Sequence, residues 1–162
     1  MAEAGPTKSV LFICLGNICR SPIAEAVFLD LLKKKGQLDQ WKVDSAAIGE
    51  WHVGGPPDKR TMKTLKKKGI DNYHHVVRQI NVQDFYDFDV IFGMDGQNMK
   101  DLKDIKPKGS KADLKSLADY DPVEPVKPNT KRIIEDPYYG SDIKDFEDVF
   151  DQVVRCCEAY LQ

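Results

Sequence analysis

An apolar run, S-V-L-F-I at positions 9–13, passes directly into C-L-G-N-I-C-R-S and then into P-I-A-E-A-V-F. The first segment is β-branched and aromatic, lacks polar alternation, and reads as a buried strand. The last opens on Ser21 and Pro22, a pair suited to a helix start: serine can cap free amides, and proline fits a first turn that needs no amide partner. Ile23, Val27 and Leu31 then recur at helical spacing until Gly36 stops the run. A strand that turns this quickly into a helix points to βα units, whose right-handed crossovers build a parallel sheet.

The rest of the chain repeats the alternation. Segments 42–48, 88–92 and 114–117 read as further strands, and 58–68, 95–103 and 143–161 as helices. In the helix over 58–68, Met62 and Leu65 point inward, and the triple lysine at 66–68 reads as a solvated face. The last helix is the longest, with Ile143, Phe146, Phe150, Val153, Cys157 and Tyr160 on one side. Near-continuous apolar strands fit an α/β sheet covered on both faces. Segments 50–57 and 120–139 read as loops. With 162 residues and no linker, one domain is expected, with a flexible start over about 1–7.

Composition removes several classes. A net charge of -2 gives no footprint for nucleic acid. No apolar run reaches the roughly 18 residues of a membrane span, and the first residues carry no signal-peptide core, so a cytoplasmic protein is expected. Four cysteines (Cys14, Cys19, Cys156 and Cys157) do not make a secreted disulfide framework. His52, His74 and His75 form no zinc-binding spacing with them, so neither a metal nor a cofactor is expected.

In an α/β sheet, ligands bind beyond the carboxyl ends of the strands, where Cys14 lies. The loop after it can turn successive amides inward, and the helix N-terminus adds partial positive charge, which together suit a tetrahedral oxyanion. Gly16 and Asn17 tolerate the positive φ of a tight nest. Arg20 adds a planar fork for two phosphate oxygens. The same field favours a thiolate at Cys14, to which Ser21 can donate, so the loop suits attack of Cys14 on a bound phosphorus. A departing alkoxide or phenoxide needs a proton donor, and Asp136 in I-I-E-D-P-Y-Y-G is the candidate, with Tyr138 and Tyr139 as pocket walls for a flat substrate. The plainer readings are a small buried cysteine, a solvated arginine and an Asp-Pro turn.

Several stretches in register then resemble one family, the low-molecular-weight protein tyrosine phosphatases. They are V-L-F-I-C-L-G-N-I-C-R-S-P-I-A-E-A-V-F at 10–28, V-D-S-A-A at 43–47, G-G-P-P-D-K-R at 54–60, H-V-V-R-Q-I at 75–80, F-G-M-D at 92–95 and I-I-E-D-P-Y-Y-G at 133–140. The resemblance covers nearly the whole chain. It implies a three-layer α/β sandwich with a four-stranded parallel sheet in the order 2-1-3-4, flanked by helices. It implies metal-independent hydrolysis of phosphotyrosine in proteins, and of small aryl phosphates as in an acid phosphatase, through a cysteinyl-phosphate. Phosphate and vanadate are the expected inhibitory oxyanions.

On that mapping Cys14 is nucleophile, Arg20 clamps the phosphate, and the amides of Leu15, Gly16, Asn17, Ile18, Cys19 and Arg20 hold its equatorial oxygens. Asp136 is acid and then base, Ser21 steadies the Cys14 thiolate, and Asn17 with Ser45 and His75 holds the loop in shape. The resemblance also makes Cys19 a reversible disulfide partner of Cys14; a plain packing role stands beside it. Asp95 and Asn98 resemble positions near the pocket. Trp51 and His52 occupy a variable rim, where Trp51 can stack on a phenyl phosphate, and extra prolines over 120–131 flank the acid segment. Self-association through the aromatic rim is left open. Two rivals stand: an arsenate reductase, which needs resolving thiols absent between Cys19 and Cys156, and a non-catalytic phosphotyrosine-binding module, which needs neither Asp136 nor a thiol.

Overall fold

The computed structural model describes residues 5–125 and 132–162. Four parallel strands, β1 (Lys8–Cys14), β2 (Trp41–Ala47), β3 (Val90–Gly93) and β4 (Asp113–Ser116), lie in the order β2-β1-β3-β4, as the resemblance implies. β1 pairs with β2 along its whole length, from Lys8 opposite Trp41 to Cys14 opposite Ala47, and with β3 from Val10 opposite Val90 to Phe12 opposite Phe92. Among the described residues there are five α-helices: α1 (Arg20–Lys34), α2 (Lys59–Lys67), the single turn α3 (Asp84–Asp87), α4 (Gly96–Ile105) and α5 (Ile143–Tyr160).

Strand alternation sorts β1 between two cores. Val10, Phe12 and Cys14 join α1, α2 and α5 on one face, while Leu11 and Ile13 join Phe85, Phe88, Ile91 and Leu102 on the other. Every residue from Val10 to Cys14 is therefore buried, which explains a run without polar alternation. Phe12 stacks on Phe92 with centroids 5.5 Å apart and meets Phe28 edge-on at 5.5 Å. This centre fixes where β1 ends, and so where Cys14 stands.

The structure moves some boundaries. The strand expected from Phe88 starts at Val90, because Phe88 closes the α3 turn and the Asp89 carboxylate takes hydrogen bonds from Ser9 at 3.0 and 3.1 Å. α3 itself is too short for its periodicity to be read. The triple lysine is exposed as expected, and two of its members reach α5: Lys67 pairs with Glu147, and Lys68 with Asp151 at 3.3 Å. Ser21 is not a helix cap. Cys19 holds the cap position without a side-chain bond, and Ser21 lies within the first turn of α1 with its hydroxyl turned back toward the loop. Part of the expected flexible start (1–4) and part of the proline-bearing segment (126–131) lie outside the described residues.

Candidate active site

The loop from Leu15 to Cys19 closes the gap between β1 and α1. Its carbonyls face outward: those of Cys14 and Leu15 accept from the amides of Ile48 and Gly49 at 3.0 Å each, and that of Ile18 accepts from Asp58 at 3.0 Å and from the Thr61 hydroxyl at 2.7 Å. Among the described residues, the amides of residues 15–19 donate to no protein group. Asn17, at φ 57°, supplies the left-handed turn, a conformation Asn adopts more cheaply than most residues. Unpaired donors around a tight turn beside a helix start make an anion-binding concavity.

Cys14 sits at its base, 3 % exposed. The Ser21 hydroxyl lies 3.0 Å from its Sγ, and the Ser21 amide donates to the sulfur at 3.4 Å. Cys19, in the same loop, stands otherwise: burial first, and then the charge of Asp58, pushes its thiol well up from the ordinary range. Arg20 is nearly enclosed. Its Nη1 donates to Asp95 at 2.6 Å and to the Ile134 carbonyl at 2.9 Å, while Nη2 faces Asp136 at 3.5 Å. Burial works against the guanidinium charge, but Cys14 and the two carboxylates outweigh it and raise its pKa.

A buried network holds Asn17. Its Nδ2 donates to Ser21 at 2.8 Å and to Ser45 at 3.0 Å, and its Oδ1 faces His75 Nε2 at 2.6 Å. Ser45, Asn17, Ser21 and His75 thus meet in one network. Glu25 extends the network, accepting from Ser45 and from the Tyr73 hydroxyl at 2.7 Å each. Burial is the main influence on both titratable members: it lifts Glu25 to about 7 and lowers His75. Oxygens of Glu25 and Asp44 and a His75 nitrogen lie within 4.8 Å of one another. Donors already engage these oxygens, Arg78 bonding Asp44 at 2.9 Å.

The pocket over Cys14, about 460 Å³, is walled by Trp51, His52, Asp136, Tyr138 and Tyr139. Asp136 caps a one-turn 3-10 segment, Pro137–Tyr139, by accepting from the Tyr138 amide at 3.1 Å. The arrangement therefore joins an anion nest, a thiol at its base, a buried cation and a carboxyl at the mouth. Reading the sequence missed several supports: Glu25, Tyr73, Asp58, Arg60, Thr61 and the Ile134 carbonyl. Of these Glu25 left a trace, as a carboxylate one helical turn after Ser21 on an otherwise apolar stretch of α1.

A family profile described as low molecular weight phosphotyrosine protein phosphatase matches residues 9–162. The rat protein named low molecular weight phosphotyrosine protein phosphatase is 50% identical over 162 residues, covering 100% of this chain and 98% of its own. Two solved structures are alike throughout. Primo-1 has a TM-score of 0.87 at 50% identity, covering 96% of this chain and 97% of its own. A drosophila arginine phosphatase has a TM-score of 0.84 at 37% identity, covering 94% and 95%.

Proposed function

The chain belongs to the low molecular weight phosphotyrosine protein phosphatase family, and from that premise we propose that it hydrolyses phosphotyrosine in proteins, and small aryl phosphates, through a phosphorylated Cys14. The observation that carries the reading is the Cys14 sulfur beneath a ring of unpaired amides, with the Ser21 hydroxyl 3.0 Å away and Asp136 across the pocket.

The phosphate dianion settles on the amides of residues 15–20 and on Arg20, whose Nη1 is held by Asp95 and Ile134 while Nε, and Nη2 in exchange for its long 3.5 Å contact with Asp136, turn to phosphate oxygens. The Cys14 thiolate attacks phosphorus in line, the P–O bond to the phenol breaks, and Asp136 gives its proton to the departing oxygen. Asp136, now a carboxylate, takes a proton from water as that water attacks phosphorus. The P–S bond breaks, the Cys14 thiolate is restored, and inorganic phosphate leaves. Every proton and every charge is carried by side chains and amides of this chain, so the reaction asks for no metal. Phosphate and vanadate, which fit the same nest, compete with substrate.

Cys19 guards this centre: after peroxide converts the Cys14 thiolate to a sulfenic acid, the Cys19 sulfur displaces water and closes a disulfide. Four free thiols suit a reducing cytoplasm. A phosphoarginine substrate, suggested by the name of the drosophila arginine phosphatase, is a second reading. The aromatic walls Trp51, Tyr138 and Tyr139 favour the phenyl ring.

The test is turnover of p-nitrophenyl phosphate and phenyl phosphate. Activity is expected to persist in chelator and to vanish in Cys14→Ser. Asp136→Ala is expected to lose roughly 10²-fold or more with phenyl phosphate and much less with the activated ester. Full activity in Cys14→Ser overturns the mechanism. Faster release of phosphate from phosphoarginine than from phosphotyrosine peptides reverses the substrate preference.

A further inference from the structure

The stretch G-G-P-P-D-K-R ends in a residue that the proposed reaction leaves without a role, Arg60. It follows Asp58, the cap of α2, whose side chain accepts from the Arg60 amide at 2.8 Å. The guanidinium closes on the same carboxylate, with Nε to Oδ1 and Nη2 to Oδ2 at 3.0 Å each. Nη2 also donates to the carbonyl of Tyr138 at 3.3 Å. The guanidinium carbon stands 4.6 Å from the Phe146 ring centre on α5 and 5.5 Å from that of Tyr138. This is a two-pronged ion pair laid against aromatic rings, a geometry that a planar fork makes and an ammonium does not.

The Tyr138 peptide is the crucial link. Its carbonyl is held by Arg60, and its amide donates to Asp136. At the other end, Asp58 and Thr61 bond the Ile18 carbonyl of the phosphate loop. One short segment, 58–61, therefore ties the loop that holds the phosphate to the turn that carries the proton donor. The two lie 116 residues apart in sequence at Arg20 and Asp136. The turn has few other tethers: it is a single 3-10 turn, and Tyr139 is 77 % exposed. The hydrogen bonds of the Arg60 side chain go to Asp58 and to the Tyr138 carbonyl, and among the described residues none goes to the phosphate loop.

We propose that Arg60, paired with Asp58, is a positioning residue that sets the distance of the Asp136 carboxyl from the leaving-group oxygen. The inference rests on Asp136 being the proton donor. It follows that losing Arg60 weakens proton transfer, not phosphate binding.

The experiment compares wild type, Arg60→Ala, Arg60→Lys, Asp136→Ala and the double variant Arg60→Ala with Asp136→Ala. It measures kcat/KM for phenyl phosphate and p-nitrophenyl phosphate, inhibition by inorganic phosphate, and thermal melting. Arg60→Ala is expected to lose roughly tenfold more with phenyl phosphate than with the activated ester, with phosphate inhibition unchanged. Arg60→Lys keeps the charge but not the fork, and is expected to fall between. In the double variant, adding Arg60→Ala to Asp136→Ala is expected to cost about twofold or less, because both act through one proton. Equal losses on the two esters in Arg60→Ala and Arg60→Lys, while Asp136→Ala still discriminates, overturn the role of Arg60 and leave the acid in place. Loss of phosphate inhibition along with activity gives Arg60 a purely structural part and overturns it too. If Asp136→Ala itself fails to discriminate, the acid assignment falls and this inference falls with it.

Discussion

Cys14 and Cys19 are one residue type, five positions apart, in opposite surroundings. Cys14 faces a hydroxyl, an amide and the Arg20 charge. Burial and Asp58 hold Cys19 as a thiol. Cys156, pushed up to about 12, and Cys157, also pushed well up, are held as thiols by burial. Oxidation is therefore expected to start at Cys14 and to be trapped by Cys19. After mild peroxide, peptide mapping should give a Cys14–Cys19 disulfide, and dithiol should restore activity in wild type far better than in Cys19→Ser. Equal recovery in both would leave Cys19 a packing residue. Much of this scale is legible in sequence, since a thiol, a fork and a turn former each keep their chemistry wherever they are placed. Ser21 was legible as a partner of the Cys14 sulfur but not in its place on the helix: Cys19, two residues earlier, holds the cap position, and the Ser21 hydroxyl serves the sulfur.

At the scale of elements, Asp95 does two jobs from one carboxylate. Oδ1 accepts from the Asn98 amide at 2.8 Å and starts α4; Oδ2 tethers Arg20 at 2.6 Å. Two substitutions separate them. Asp95→Asn retains a capping oxygen and loses the charge, whereas Asp95→Ala loses both. Urea unfolding is expected to place the alanine variant about 1 kcal/mol below the asparagine variant. Both are expected to bind inorganic phosphate more weakly than wild type, because Arg20 loses its shortest tether. Equal stabilities would deny the cap, and unchanged phosphate inhibition would deny the tether. Element type was readable along nearly the whole chain, because buried strands and one-sided helices carry different periods. Boundaries moved by one or two residues, and at the start of β3 the shift comes with Phe88 closing the α3 turn and the Asp89 carboxylate bonding Ser9.

At the scale of the molecule, the pocket is assembled from three stretches that are distant in sequence: the loop after β1, the rim around Trp51, and the turn at Asp136. Trp51 is 68 % exposed at that rim. Trp51→Ala is expected to raise KM for aryl phosphates roughly threefold to tenfold, the worth of one aromatic contact of about 0.5–1.5 kcal/mol, and to leave inhibition by inorganic phosphate alone. An unchanged KM would remove Trp51 from the wall. The sequence by itself determined the βα alternation, the anion-binding loop and the residue types a phosphoryl transfer needs, because these depend on local backbone preference and on side-chain chemistry. Only the tertiary structure decided how the loop is held: the Glu25–Tyr73–Ser45 support, the Asp95 tether, and the Asp58–Arg60 link between phosphate loop and acid turn. Those are contacts between residues far apart in the chain, whose partners exist only once the parallel sheet and its covering helices have packed.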